Sequence, residues 1–185
     1  MASKYLRNRS RKRAPNNVIL IVCGGETESL YFKKFNIDLG EIRVQTLTEG
    51  KNPSLIVKRA VAERSLAKYN QVWCVFDKDD FIDYDEAINV AETNGVKVAC
   101  SNQAFELWFI LHFEKRNGLL DRKHYQSILE GYKSIYSRLK SKMDTAINNA
   151  KHGHQNHVVN GGNPSDWESC TLVYRLVEEL NRWKR

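Results

Sequence analysis

Several absences narrow the reading of this sequence before any motif does. No apolar run approaches the roughly 18 residues of a membrane-spanning helix, so nothing in it is expected to enter a bilayer. No apolar stretch follows the basic N-terminus, which argues against a secretory signal and points to a cytoplasmic protein. The four cysteines, Cys23, Cys74, Cys100 and Cys170, contain no CxxC pair, and three lie in or at the end of apolar strand-like runs. Buried thiols in a reducing compartment explain them better than metal or redox chemistry. No GxxxxGKS or GxxxxGKT sequence is present, and no lysine or arginine lies in the Gly24-Gly25 turn, which argues against Walker-type nucleotide binding. No internal repeat or linker divides the 185 residues, a length suited to one core.

Acids are missing from the first sixteen residues, where Lys4, Arg7, Arg9, Arg11, Lys12 and Arg13 supply six of the seven net positive charges. The rest of the chain is nearly neutral. Residues 1–16 therefore read as a flexible basic arm, with Arg7, Arg9, Arg11, Lys12 and Arg13 as contacts to a nucleic-acid backbone. A disordered tail that only solubilises the protein is the competing explanation.

From residue 17 onward, strand-like and helix-like segments alternate. Val18 to Cys23 is a continuous β-branched apolar run, the pattern of a strand covered on both faces, and Gly24 and Gly25 end it. Thr27 to Phe35 reads as a helix with Leu30, Phe32 and Phe35 among its buried positions. Ile42 to Leu47 is a second strand. Pro53 opens an amphipathic helix that continues to Tyr69. Val72 to Phe76 is a third strand; Asp83 and Glu86 then form a capping-box pattern for a helix ending near Gly95. Val96 to Cys100 is a fourth strand, followed by a strongly apolar helix from Ala104 to Phe113. No strand signal appears beyond residue 120: His124 to Ala150 is helical, Lys151 to Asp166 a polar loop, and Trp167 to Trp183 a closing helix. The expected fold is α/β, a mostly parallel sheet flanked by helices, with residues 17–115 as the α/β core and 116–185 as a helical extension.

In such a sheet the carboxyl ends of all strands open on one edge, where ligand sites lie. Gly24 to Glu28, Asp77 to Asp80, and Asn102 to Glu106 should meet there. In an extended chain Asp77 and Asp79 share a face and Asp80 points away. Two close carboxylates relieve their repulsion by binding protons or a cation, and hard oxygen donors with open positions suit Mg²⁺ or Mn²⁺. Such an ion polarises a phosphodiester and generates the attacking hydroxide. Glu26 and Glu28 add negative charge to this edge. Glu106, in a helical first turn, is either a further ligand or the partner of a basic residue. His112 reads as a satisfied core histidine, with a supporting or proton-handling role as the alternative. His152, His154 and His157 fit no usual structural zinc spacing, and contact with nucleic acid suits their loop at least as well.

The segments "IVCGGETESLYF", "VFDKDDF" and "NQAFELWFILHF", followed by "NPS" at Asn163 to Ser165, resemble the RloB-like proteins over nearly the whole chain after the arm. The element with Phe105, Glu106, Trp108, His112 and Phe113 is the most specific part of the likeness. The resemblance implies a Toprim-like fold, with a glutamate after the first strand as general acid or base and a DxD pair, here Asp77 and Asp79, holding Mg²⁺. It implies a place in restriction and phage defence beside an AAA- or ABC-type ATPase, and cleavage of RNA, including transfer RNA, or of DNA. It leaves a homodimer open. Many relatives carry a glutamate where this chain has Gly24; Glu28, which matches the later glutamate of that motif, becomes the preferred candidate and Glu26 the next.

Two classes of function compete. The first is a Mg²⁺-dependent Toprim-like nuclease with Glu28, Glu26, Asp77, Asp79 and Glu106 as its working residues, Asp77, Asp79 and Glu28 as metal ligands, and Asp80 and His112 in support. The second is a noncatalytic nucleic-acid-binding or effector subunit. A phosphotransferase acting on small nucleotides is a third reading, against which the lack of a base-binding motif counts.

Overall fold

The structure is a computed structural model that describes residues 17–66, 68–118, 125 and 139–185. The basic arm, including Arg7, Arg9, Arg11, Lys12 and Arg13, lies outside the described residues, as does most of the segment from His124 to Tyr136.

Four strands build the central sheet: β1 (Val18–Cys23), β2 (Arg43–Thr48), β3 (Gln71–Val75) and β4 (Lys97–Val98). They are all parallel, in the order β2-β1-β3-β4. A parallel neighbour needs a crossover, and the helices α1 (Glu26–Lys33), α2 (Pro53–Ser65) and α3 (Tyr84–Thr93) provide them. From Ile19 to Cys23 every residue of β1 is buried, the expected signature of a strand flanked by neighbours and covered on both faces. Asn52 caps α2, its Oδ1 accepting from the Leu55 N–H at 3.1 Å, and Pro53 follows in the first turn, where no N–H is missed. Asp83 stands at the N-cap of α3 without making the expected capping box; its carboxylate instead accepts from Ser54 Oγ on α2.

Beyond β4 the chain turns into β5 (Ser101–Asn102) and then α4 (Glu106–Ile110). The expected ten-residue helix is half that length, because i→i+3 bonds such as Trp108 N–H to Phe105 O and Phe113 N–H to Ile110 O tighten both of its ends. The C-terminal part holds α5 (Met143–Asn160), β6 (Cys170–Thr171) and α6 (Val173–Asn181). Here two expectations are corrected. His152, His154 and His157 lie on α5 rather than in a loop; packing of Met143, Ala146, Ile147 and Ala150 below, and of His154 and His157 against Trp167, outweighs the poor helix propensity of the Gly/Asn/His stretch. A strand also exists beyond residue 120, since β6 pairs antiparallel with β5 and Ser101 Oγ meets Thr171 Oγ1 at 2.9 Å.

A third correction concerns α1. Its buried face is Glu28, Ser29, Tyr31 and Phe32, followed by Phe35, whereas Leu30 is 57% exposed. Tyr31 and Phe32 pack edge-on against Phe105, and Tyr31 also against Phe109. The Trp108 Nε1–H donates to Tyr31 Oη at 2.7 Å. Aromatic pairs of this kind contribute about 0.5–1.5 kcal/mol each beyond burial alone, so α1 and α4 are clamped as one unit. Among the described residues no helix is long and apolar enough to cross a membrane. All four cysteines are free and buried, and burial pushes the Cys100 and Cys170 thiols up to about 12, which makes them inert packing groups.

Candidate functional site

A pocket of about 240 Å³ opens at the carboxyl edge of the sheet, lined chiefly by Glu26, Glu28, Asp77, Asp79, Glu106 and Lys51. Three separate segments deliver its acids. The Gly24-Gly25 turn after β1 brings Glu26 and Glu28 on the first turn of α1. The extension of β3 brings Asp77 and Asp79, and α4 brings Glu106 as its first residue.

Backbone bonds fix Asp77. Gly24 N–H donates to Val75 O at 2.9 Å, Ser101 N–H to Phe76 O at 3.1 Å, and Lys78 N–H to Ser101 O at 2.9 Å, so the chain stays pinned one step past the strand. It does not stay extended to Asp79. That residue has φ 41°, in the left-handed region, and its N–H reaches Gln103 O at 3.4 Å. The alternation that would point Asp77 and Asp79 to one side therefore ends at Asp77, and both reach the pocket through a tight turn instead.

The electrostatics are those of an overcrowded acid cluster. The Phe105 backbone N–H favours the charged form of Asp77, yet the carboxylate's Oδ1 is buried without a hydrogen-bond partner. Burial drives its carboxyl well above the ordinary aspartate range, and Glu28, Glu106 and Asp79 push the same way. Glu28, 6% exposed, is likewise raised by burial, offset by its own N–H and by Lys51, and raised again by Glu106 and Asp79. Gly25 makes this placement feasible, since a Cβ there would lie 2.8 Å from Glu28 Oε2. Lys51, contributed by the loop after β2, was missed in the sequence; the rule that every parallel strand ends on the same edge applies to β2 as well and could have found it.

The remaining candidates sit elsewhere. Asp80 is exposed in the turn beyond Asp79 and does not line the pocket. His112 is fully buried, with Nδ1 2.9 Å from Trp108 O. A carbonyl only accepts, so Nδ1 carries the proton and Nε2 is left as an acceptor without a partner. Burial lowers this imidazole to about 4, and it is neutral at physiological pH. His154 Nδ1 is 2.9 Å from Tyr174 Oη and His157 Nε2 is 2.8 Å from Glu168 O, so neighbouring polar groups engage both imidazoles. The "NPS" turn ties α3 to β5: Ser165 N–H donates to Asp85 Oδ1 at 2.9 Å, and Asn102 Nδ2 donates to Ser165 O at 2.9 Å.

The residues can be tested for fit to a divalent ion. An all-oxygen donor set and the orphaned Asp77 Oδ1 suit Mg²⁺ or Mn²⁺. Among the described residues no three of His, Cys, Asp and Glu stand close enough to hold an ion by themselves. The pocket thus fits an ion that takes one or two carboxylates and completes its shell with water and substrate oxygens, the usual habit of Mg²⁺.

A family model described as RloB-like protein matches residues 19–180. No curated protein and no solved structure gives a significant match.

Proposed function

The chain belongs to the RloB-like protein family, and from that membership and its carboxylate pocket we propose that it is a Mg²⁺- or Mn²⁺-dependent nuclease. The substrate is RNA, with transfer RNA foremost, or DNA; the setting is anti-phage defence, alongside an AAA- or ABC-type ATPase. The observation that carries the reading is the meeting of five carboxylates from three segments around a buried, unpartnered Asp77 oxygen at the edge where α/β folds bind ligands. Asp77 and Asp79 would hold the ion, with Glu28 beside them. When bound, the ion would neutralise charge at the phosphate and lower the pKa of a bound water, which then attacks as hydroxide. Glu28, enclosed and raised by burial, is suited to keep or accept a proton at Oε2 near the reacting oxygens. Glu26 and Glu106 flank this group. The arm bearing Arg7, Arg9, Arg11, Lys12 and Arg13 would tether the nucleic acid.

One observation favours a second reading, a noncatalytic binding subunit. Gly24 stands where the family resemblance implies a glutamate, and a Cβ there would face Ile56 Cδ1 at 3.3 Å, a tight contact with the core. The test compares transfer RNA, single-stranded RNA and plasmid DNA with Mg²⁺ or Mn²⁺, with and without an ATPase partner, next to calorimetric Mn²⁺ binding. Cleavage and Mn²⁺ binding that both vanish in Asp77→Ala support the nuclease. Cleavage that persists in EDTA and in Asp77→Ala, or a wild-type protein that binds no Mn²⁺, overturns it; salt-sensitive nucleic-acid binding without Mn²⁺ uptake selects the second reading.

A further inference from the structure

The acid pocket contains one cation among its described lining residues, Lys51. We infer that Lys51 is the group that receives a non-bridging oxygen of the substrate's phosphate, an inference that rests on the nuclease reading and adds a residue to it.

The order of the strands carries the argument. Because the sheet runs β2-β1-β3-β4, the loop after β2 holding Lys51 stands on one side of the Gly24–Glu28 turn, and Asp77 and Asp79 stand on the other. Adjacent strands are about 4.8 Å apart, so the ammonium-bearing loop and the aspartates are separated at the backbone by roughly 10 Å. A phosphodiester whose one oxygen faces the aspartates through an ion can present its other non-bridging oxygen toward Lys51.

The loop is placed for this. Gly50 has φ 94°, a conformation that suits glycine, and its carbonyl lies 3.7 Å from where a Cβ on Gly24 would be. The β2 loop is thereby packed beside the first turn of the site. Asn52 and Pro53 then start α2 at once, which fixes the position of Lys51 in the chain. The Lys51 side chain is exposed and, among the described residues, has no hydrogen bond or ion pair, although it lowers the Glu28 carboxyl electrostatically. A structural lysine in an acid-lined pocket would be expected to pair with one of the acids. Lys51 stands near Glu28 without closing a bridge, which leaves its three donors for an anion.

The experiment uses the full chain loaded with Mn²⁺ and two probes, thymidylyl-thymidine and its methylphosphonate analogue, in which a methyl replaces the charged oxygen. Binding is read from Mn²⁺-induced line broadening of the dinucleotide protons. In wild type the charged probe should bind better than the neutral one. Lys51→Ala should keep Mn²⁺ affinity while the charged probe loses about tenfold, the usual cost of deleting a hydrogen bond to a charged group, and the neutral probe is unchanged. Lys51→Arg should restore the preference. If Lys51→Ala binds Mn²⁺ and retains the full preference for the charged probe, the role of Lys51 is refuted and the nuclease reading stands. If wild type takes up no Mn²⁺, both fall.

Discussion

Replacing Asp77 by asparagine should stabilise the metal-free protein at neutral pH, although it removes a proposed metal ligand. Asp77 is driven above its ordinary range by burial and then by Glu28, Glu106 and Asp79, so the folded state binds its proton more tightly than the unfolded chain does. The contribution to stability is then complete below the unfolded-state value, near 4, and is lost as pH rises through the higher folded value. Each unit of that elevation corresponds to about 1.4 kcal/mol, and for a chain of this size that is about 3–6 °C in melting temperature. Asparagine is nearly isosteric and presents an N–H₂ to the neighbouring carboxylates in place of the orphaned Oδ1. Thermal melts in EDTA from pH 5 to 8 should show wild type falling with pH and Asp77→Asn falling less, so that the variant melts higher at pH 7.5. Addition of Mg²⁺ should reverse the order, because only wild type gains the binding term, about 2.7 kcal/mol at a hundred times Kd. A variant that melts no higher than wild type at any pH in EDTA, or Mg²⁺ raising both equally, would refute the account of Asp77 as a carboxylate waiting for a cation.

Two further outcomes follow from the same geometry. Gly25→Ala should cost under about 1 kcal/mol of stability, because the group that must move is the free end of Glu28; yet it should lower Mn²⁺ affinity or cleavage measurably, and unchanged binding and activity would show that the Glu28 rotamer does not matter. Tyr31→Phe removes the oxygen that accepts from Trp108 Nε1 and leaves a buried indole N–H unsatisfied, so urea denaturation should register a loss of about 1–3 kcal/mol, whereas a neutral change would mean the α1–α4 clamp is held by ring packing alone.

The parts of this architecture that could be read from the sequence were those with a strong local pattern. The apolar runs of β1 and β3 announced buried parallel strands, and the common-edge rule placed Glu26, Glu28, Asp77, Asp79 and Glu106 near one another, as the pocket lining has them. What escaped was set by contacts distant in the chain. Two-residue strands such as β5 and β6 have no periodicity to detect, and α5 continues through Gly153 with its apolar face buried and Tyr174 and Trp167 lying against His154. Leu30 was misassigned because a hydrophobicity pattern favours the leucine for the interior, while the fold gives inward positions to Glu28 and Ser29, and Ser29 Oγ meets Thr46 Oγ1 at 2.8 Å. The left-handed turn at Asp79 likewise has no signature in the run Asp77 to Asp80.

The pairing of β5 with β6 has a kinetic consequence. Leu172 N–H donates to Cys100 O at 2.8 Å, and Thr171 sits opposite Ser101, so the segment leading into the Phe105-Glu106 wall is tethered by residues about seventy positions later. Closing so long a loop is an entropic cost that local helix formation does not share, and contacts of this kind form late. The first three strands can associate while that wall is still unsupported. The pulse-labelled Leu172 amide is therefore expected to gain protection after those of Ile19 to Cys23, which would make the Phe105-Glu106 wall of the acid pocket a product of the final folding step.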